Sequence, residues 1–180
     1  NNSFGLLLGI SGYSLFVFLD SIIKKYLVQQ YPIFEITFFI CLFSFIPILI
    51  TLTAVGNWNG LINNKIHIQL LRGILAIICG SLIINSFRYH ALFEIYPVLF
   101  ATPLILTTLS YFVLKEKVSI LRWSVVLVGF IGVLIVSRPG TFHFTLAMIG
   151  LFVGAFILAI NVLIIRFLAN SQSSIAFAFY

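Results

Sequence analysis

The sequence predicts an all-α membrane protein, a polytopic bundle of transmembrane helices. Of its 180 residues, 62% are hydrophobic and 8% charged, and the mean hydropathy is +1.20, whereas soluble domains are roughly 45–50% apolar and 25% charged. The apolar residues form runs that approach the roughly 20 residues a helix needs to cross the hydrocarbon. These runs are apolar on all sides, unlike the alternating strands of a membrane barrel. We therefore expect the lipid bilayer to be the solvent of this chain.

Six apolar runs are predicted to cross the membrane, and a seventh begins near Ile175. No basic segment and no small-residue cleavage site accompany the first run, so we expect a retained span and not a signal peptide. The chain starts at Asn1 without Met and stops at Tyr180 within an apolar run, and we expect that both ends were cut. The predicted spans are residues 4–26, 33–55, 70–92, 95–114, 120–137 and 144–168.

The basic residues between the spans favour a cytoplasmic N-terminus. In that orientation six of them lie on the inner face and four on the outer face, which agrees with the positive-inside rule. Basic residues at the ends of apolar runs anchor to lipid headgroups, so the net charge of +6 does not indicate a nucleic-acid partner. Cys41 and Cys79 lie far apart inside apolar runs and are expected to be buried thiols, with no metal and no cofactor.

Residues 97–139 are predicted to form a helical hairpin, with a tight turn around Lys115, Glu116 and Lys117 as a topological anchor. An internal repeat is suggested when residues 9–39 are laid on residues 150–180, which pairs Asp20 with Asn161. Five spans separate the two copies, and an odd number places the second copy upside down in the membrane. Inverted repeats are typical of transporters that work by alternating access, with the substrate bound near the midplane.

The hairpin resembles the EamA branch of the drug/metabolite transporter superfamily. The resemblance rests on Ala101-Thr102-Pro103, on the run from Phe112 to Ser119, and on the glycine-rich residues 129–133. It implies ten helices in two inverted five-helix repeats, a bacterial inner-membrane location, and transport of small metabolites without nucleotide hydrolysis. Residues 4–139 would form the first repeat and residues 144–180 the start of the second. Residues 25–27, 34–35 and 71–73 are also similar to members that take up S-adenosylmethionine, although Ile40 stands where those members usually carry arginine.

Asp20 is the most informative single residue, because a carboxylate deep in the bilayer costs several kcal/mol unless it faces a cavity or a partner. Lys24 follows at i+4, on the same helix face. One interpretation is a local ion pair near the outer headgroups, with Lys24 extending towards the interface. The other is a cavity-facing group that binds a cationic substrate or takes up a proton. Asn161, at the mirrored position of the repeat, favours the second interpretation.

Further candidates for a substrate pathway lie on the third and fourth spans. Ser81, Asn85 and Tyr89 follow helical spacing and share a stripe that serves either helix contact or a pathway. Arg88, His90 and Glu94 cluster at the next short connection, as a solvated turn or as a site that recruits anions at the outer mouth.

Pro103 is expected to kink the fourth span, because it leaves the carbonyl of Leu99 without an amide partner. Thr102 and Thr107 lie close by and would line the wall of a cavity.

The sequence thus predicts a transporter half whose first, third, fourth and sixth spans line a central cavity. No enzyme activity is expected, and whether the protein forms a homodimer is left undecided. Asp20 and Asn161 are expected on opposite sides of the midplane, both facing that cavity. The sequence also leaves two alternatives open. One is a membrane interaction module that transports nothing, and the other is an intramembrane serine protease that uses Ser11 within the GxSG sequence of residues 9–12.

Overall fold

The computed structural model describes residues 2–56, 66–115, 119–137, 145–169 and 174–179, and these residues form helices and short connections. No strand occurs among them. Five of the helical segments are long and apolar enough to cross a membrane, which agrees with the predicted class. The elements are α1 (Asn2–Ile22) with a π-helical turn (Ile23–Leu27), α2 (Ile33–Val55), α3 (Ile66–Tyr89), α4 (Leu92–Phe100), α5 (Thr102–Val113), α6 (Ile120–Ser137), α7 (Leu146–Leu168) and α8 (Ser174–Phe179).

Local sequence signals explain several helix ends. Extended backbone at Pro32, which lacks an amide hydrogen, precedes α2, and Glu35 in its first turn complements the helix dipole. That helix stops at Gly56, which adopts the left-handed conformation with φ 67°. Thr145 caps α7 by accepting a hydrogen bond from the Met148 amide. The helix α6 coincides with the predicted fifth span, residues 120–137.

The fourth span is interrupted. Its first part, α4, ends at Phe100, and α5 begins at Thr102 after a turn at Ala101, whose amide donates to the carbonyls of Pro97 and Val98. The distortion predicted from Pro103 therefore lies in the turn just before it, because the proline supplies no amide hydrogen to that turn. Ala101 itself keeps helical backbone angles, with φ −72° and ψ −17°. The start of the span, Leu92, also precedes the predicted residue 95.

The densest packing lies where α3 meets α7. Small residues on α7 allow close approach: a Cβ atom placed on Gly154 would lie 3.5 Å from Leu82 and 3.6 Å from the Cys79 carbonyl. The Cys79 thiol is buried as expected and donates to the carbonyl of Gly154 at 3.2 Å, whereas Cys41 is half-buried. The helices α4 and α5 pack on α7 as well, and the core joins α3, α4 and α7 through Ile84, Phe87, Ile95, Val98, Met148, Leu151 and Ala155.

By contrast, α1 and α2 expose most of their apolar side chains. Within the described residues, nothing approaches within 4 Å of a Cβ placed on Gly5, Gly9 or Gly12. The first helix is joined to the rest mainly near its end, through its π-helical turn and a few contacts with α4. In a bilayer the exposed apolar faces are compatible with lipid.

Candidate functional site

Asp20, near the end of α1, is buried and faces α4. Its side chain is 7% exposed, and its Oδ2 atom accepts a hydrogen bond from the hydroxyl of Tyr96 at 3.1 Å. The aromatic residues Tyr13 and Phe100 lie beside this pair, with ring centroids 6.0 Å apart. The carboxylate therefore lies at a helix interface and not towards lipid. The sequence did not single out Tyr13, Tyr96 or Phe100, although helical spacing places Tyr13 two turns before Asp20 and Phe100 one turn after Tyr96.

Lys24 does not pair with Asp20. Its Nζ atom donates to the carbonyl of Phe87 at 2.7 Å and to that of His90 at 2.5 Å. The interpretation of a local ion pair between Asp20 and a Lys24 that extends to the interface is therefore wrong. The physical reason lies in the end of α3, whose last carbonyls have no amide partner within the helix and attract a cation.

Arg88 makes the reciprocal contact from α3 to the segment after α1. Its guanidinium donates to the carbonyl of Val28 at 2.7 and 3.0 Å and to that of Tyr31 at 2.9 Å. The Gln29 amide donates in turn to the Arg88 carbonyl at 3.3 Å. We call Lys24, Gln29 and Arg88, with the carbonyls they bind, the α1–α3 clamp. Because the Arg88 guanidinium donates to main-chain oxygens, its position is accounted for by contacts within the protein, and no bound anion is needed to balance it.

His90 connects three helices beside the clamp. One ring nitrogen, Nδ1, lies 2.8 Å from the Glu94 carboxylate on α4, and Nε2 lies 2.6 Å from the Thr145 hydroxyl that caps α7. His90 is 4% exposed, so this connection is buried at the histidine. Of the cluster predicted from the sequence, His90 and Glu94 are in contact, whereas the Arg88 guanidinium points to the carbonyls of Val28 and Tyr31.

A second polar group lies near the other end of α3. Arg72 donates to Gln69 Oε1 at 2.8 Å and also to the Phe177 carbonyl of α8, while the Asn161 amide of α7 donates to the Arg72 carbonyl at 3.1 Å. Phe87 of the clamp lies fifteen residues after Arg72 on α3, which corresponds to roughly 22 Å along the helix. Asn161 and the clamp residue Lys24 therefore occupy different levels of the bundle. That Asp20 and Asn161 face one cavity stays a prediction.

The remaining candidates are placed as follows. Ser81 lies 3.4 Å from the Thr37 hydroxyl of α2, Asn85 is half-buried, and Tyr89 is 63% exposed. The three residues of the predicted stripe therefore do not share a common partner. Thr107 is buried and donates to the Pro103 carbonyl at 2.7 Å, while Pro103 itself is exposed. None of these contacts assigns a role in a pathway.

Thr102 differs from the other candidates. It is 8% exposed, and its hydroxyl is the one buried side-chain oxygen or nitrogen in the described part of the chain that lacks a hydrogen-bond partner. It lies at the break between α4 and α5, next to the turn at Ala101.

The geometry of a serine protease is not present around Ser11. The Ser11 hydroxyl donates to the carbonyl of Leu8 at 3.1 Å on an exposed face of α1. Of the two histidines that the structure describes, His90 is bound to Glu94 and Thr145, and His67 is exposed at the start of α3. A serine nucleophile needs a histidine within hydrogen-bond reach.

These features define an integral membrane protein, a helical bundle with polar groups buried between its spans. A family model described as the EamA-like transporter family matches residues 3–138. The match covers more than half of the chain, and the chain belongs to this family.

The chain is similar to proteins named S-adenosylmethionine uptake transporter. That of Rickettsia prowazekii is 28% identical over 162 residues, which cover 90% of this chain and 55% of that protein. That of Rickettsia bellii is 30% identical over 167 residues, with 89% and 55% covered, and that of Rickettsia conorii is 28% identical over 161 residues, with 89% and 54% covered. The chain thus spans about half the length of the curated relatives it matches. No solved structure shows a significant match.

Proposed function

We propose that this chain belongs to a secondary transporter that moves a small metabolite across a bacterial inner membrane by alternating access. The observation that carries the proposal is the interruption of the fourth span at Ala101, beside the buried and unpaired hydroxyl of Thr102.

An interrupted helix is informative in a membrane. Pro103 supplies no amide hydrogen to the helical ladder at this point, and membrane helices tolerate such a proline where neighbouring groups or a cavity satisfy the backbone. The interrupted helices of transporters lie at their substrate sites. A buried hydroxyl without a partner costs about 1–3 kcal/mol, and a bound substrate would remove that cost by supplying the missing hydrogen bond. Thr102 is accordingly the first of the proposed pathway residues, which are Asp20, Ser81, Asn85, Tyr89, Thr102, Pro103, Thr107 and Asn161.

The proposed architecture is ten helices in two inverted repeats. Residues 4–139 are the first repeat and residues 144–180 the start of the second, with the N-terminus in the cytoplasm. The family match over residues 3–138 supports the first boundary. The contact of α3 with α7 brings the two proposed repeats together, and the proposed substrate path lies between the repeats, lined by α1, α3, α4 and α7.

The proposed substrate is S-adenosylmethionine or another amino-acid-like or cofactor-like molecule. The support for this choice is that relatives similar to nearly the whole chain are named S-adenosylmethionine uptake transporters. A transporter rather than an enzyme is also supported by the family to which the chain belongs.

The proposal is tested by uptake of labelled S-adenosylmethionine into cells and proteoliposomes that contain the full-length protein. Thr102→Val removes the hydroxyl and keeps the shape, and we expect it to lower uptake at limiting substrate about tenfold, the effect of one lost hydrogen bond. Thr108→Val is the matched control, because the Thr108 hydroxyl already donates to the Leu104 carbonyl at 2.9 Å on the same helix. If Thr102→Val and Thr108→Val take up S-adenosylmethionine equally well, the Thr102 hydroxyl does not bind the substrate. Absence of uptake and efflux across a broad metabolite panel favours a membrane interaction module.

A further inference from the structure

Four side chains of α1 and α4 form one cluster around Asp20. The ring of Phe100 lies between those of Tyr13 and Tyr96, with centroid distances of 6.0 and 6.1 Å, and the Tyr96 hydroxyl binds Asp20 at 3.1 Å. Tyr13 and Tyr96 both lie within electrostatic reach of this carboxylate. We call Tyr13, Asp20, Tyr96 and Phe100 the aromatic–carboxylate cluster.

Helical spacing explains why these four residues meet. Tyr13 and Asp20 are seven residues apart on α1, which is two turns, and Tyr96 and Phe100 are four residues apart on α4, which is one turn. Each helix therefore presents its pair on one face, and the two faces are opposed. The cluster ends at Phe100, the last residue before the break at Ala101 and two residues before the unpaired Thr102.

The charge of Asp20 is not balanced by a cation of the described chain. The single ion pair among the described residues is that of His90 with Glu94, and Lys24 is held by main-chain carbonyls. Asp20 has a neutral phenol as its hydrogen-bond donor. An ionised carboxylate buried between membrane helices is costly with so little compensation, and a cationic ligand would compensate it.

We propose that the aromatic–carboxylate cluster binds the cationic centre of an onium substrate, a sulfonium or an alkylated ammonium ion. This inference rests on the proposed transport function and assigns the substrate class. Aromatic rings attract such cations through their faces, and a nearby carboxylate adds Coulomb attraction. One carboxylate among aromatic rings does not suit a hard metal ion, which takes six or more oxygen ligands. Nor does it supply the several acceptors that a primary ammonium group needs for its three donors.

The cluster is tested by direct binding to the purified full-length protein in lipid nanodiscs, with saturation-transfer NMR as the readout. The probes are tetramethylammonium and tert-butanol, which are similar in size and shape and differ in charge. We expect the protein to bind tetramethylammonium and to discriminate against tert-butanol at least about tenfold. In parallel, uptake of S-adenosylmethionine is competed with S-adenosylhomocysteine, which has a neutral thioether in place of the sulfonium and keeps the charged amino and carboxyl groups.

Three variants and two controls separate charge from ring contact. Asp20→Asn keeps the shape and is expected to lower tetramethylammonium affinity about tenfold, while Tyr96→Leu and Tyr13→Leu lower it about threefold each. The control for charge is Glu35→Gln, an exposed acid at the start of α2, and the control for rings is Tyr111→Leu, an exposed tyrosine on α5. Both controls are expected to bind tetramethylammonium as the unmodified protein does. If Asp20→Asn does not fold, the two tyrosine variants carry the test.

The outcomes separate the inference from the proposed function. Tetramethylammonium binding that depends on Asp20, without any uptake of S-adenosylmethionine, supports the cluster and rejects that substrate. Uptake of S-adenosylmethionine with unchanged affinity in Asp20→Asn rejects the cluster and leaves the transport function standing. Equal binding of tetramethylammonium and tert-butanol overturns the inference. Loss of a pH-gradient dependence in Asp20→Asn with unchanged tetramethylammonium affinity also overturns it, and assigns Asp20 to a proton.

Discussion

Lys24 and Asp20 lie one turn apart at the end of α1, yet they belong to regions of opposite character. In the α1–α3 clamp each cation has main-chain partners, since Lys24 binds two carbonyls and Arg88 binds two more. In the aromatic–carboxylate cluster the anion has a neutral phenol as its donor. Close to that cluster along the chain, Thr102 has a buried hydroxyl without a partner.

We propose that the difference separates a region that holds the fold from one that binds a ligand. A buried polar group with all its partners stabilises the arrangement it is in, and a further ligand would have to displace those partners. A buried polar group with too few partners destabilises the empty protein and gains from binding. We therefore expect substitutions in the clamp to affect stability, and substitutions in the cluster to affect binding.

Lys24→Met is the strongest test of this contrast. The substitution keeps an unbranched apolar side chain and removes the charged donor from two carbonyls at the end of α3. We expect the free energy of unfolding to fall by about 2–4 kcal/mol, because hydrogen bonds from a charged donor are lost and their acceptors are left unpaired. The measurement is reversible unfolding of the full-length protein in mixed micelles.

The adjacent residue provides the control for that experiment. Lys25 is exposed, with its Nζ atom 5.1 Å from the ring centroid of Tyr26. Lys25→Met should change the free energy of unfolding by no more than about 0.5 kcal/mol, as is usual for an exposed position. A loss of similar size in both variants would show that the carbonyl contacts of Lys24 do not stabilise the fold.

Thr145→Val should have an intermediate effect. It removes the cap of α7 and the hydroxyl that lies 2.6 Å from His90 Nε2. We expect a loss of about 1–2 kcal/mol, the usual cost of losing a threonine cap together with one buried hydrogen bond. Thr145→Ser retains the hydroxyl and should restore most of the stability in the same unfolding measurement. If the serine variant is as unstable as the valine variant, the methyl group and not the hydroxyl is responsible.

Asp20→Asn should have the smallest effect on stability, within about 1 kcal/mol and of either sign. The amide oxygen still accepts from Tyr96, and the cost of burying a charge disappears. The measurement is the same unfolding experiment, run without substrate and compared with Lys24→Met. A loss as large as that of Lys24→Met would place Asp20 among the residues that hold the fold and would remove the contrast between the two regions.

The helices were predictable because their cause is local. Runs of apolar residues without charges require helices in a bilayer, and the bounds of α6 agree at both ends with residues 120–137. Pro103 predicted a distortion of the fourth span. The structure places it at Ala101, because Pro103 lies in the first turn of α5. The bilayer location and the membership of the EamA-like family were likewise readable from residues of the sequence.

The partners of polar side chains were not predictable, because they depend on neighbours distant along the chain. One interpretation of the sequence paired Lys24 with Asp20, yet Lys24 binds carbonyls 63 and 66 positions away. Arg72 is buried and donates to the Phe177 carbonyl of α8, 105 positions away along the chain. Tyr96 is one tyrosine in an apolar run, and a sequence does not tell which acid its hydroxyl meets. Spacing limits which residues share a face, and only packing decides what that face contacts.

The clamp also bears on how far its sequence is free to change. Every amino acid carries a carbonyl, so the groups that accept from Lys24 and Arg88 persist whatever side chains occupy positions 28, 31, 87 and 90. A substitution of Lys24 or Arg88 therefore removes these hydrogen bonds, whereas a substitution of a residue that supplies only its carbonyl does not. Substitutions of Val28, Tyr31 or Phe87 leave the acceptors of the clamp in place, whereas Lys24 and Arg88 must keep their charge and length. His90 is the exception among the four positions, because its ring also binds Glu94 and Thr145.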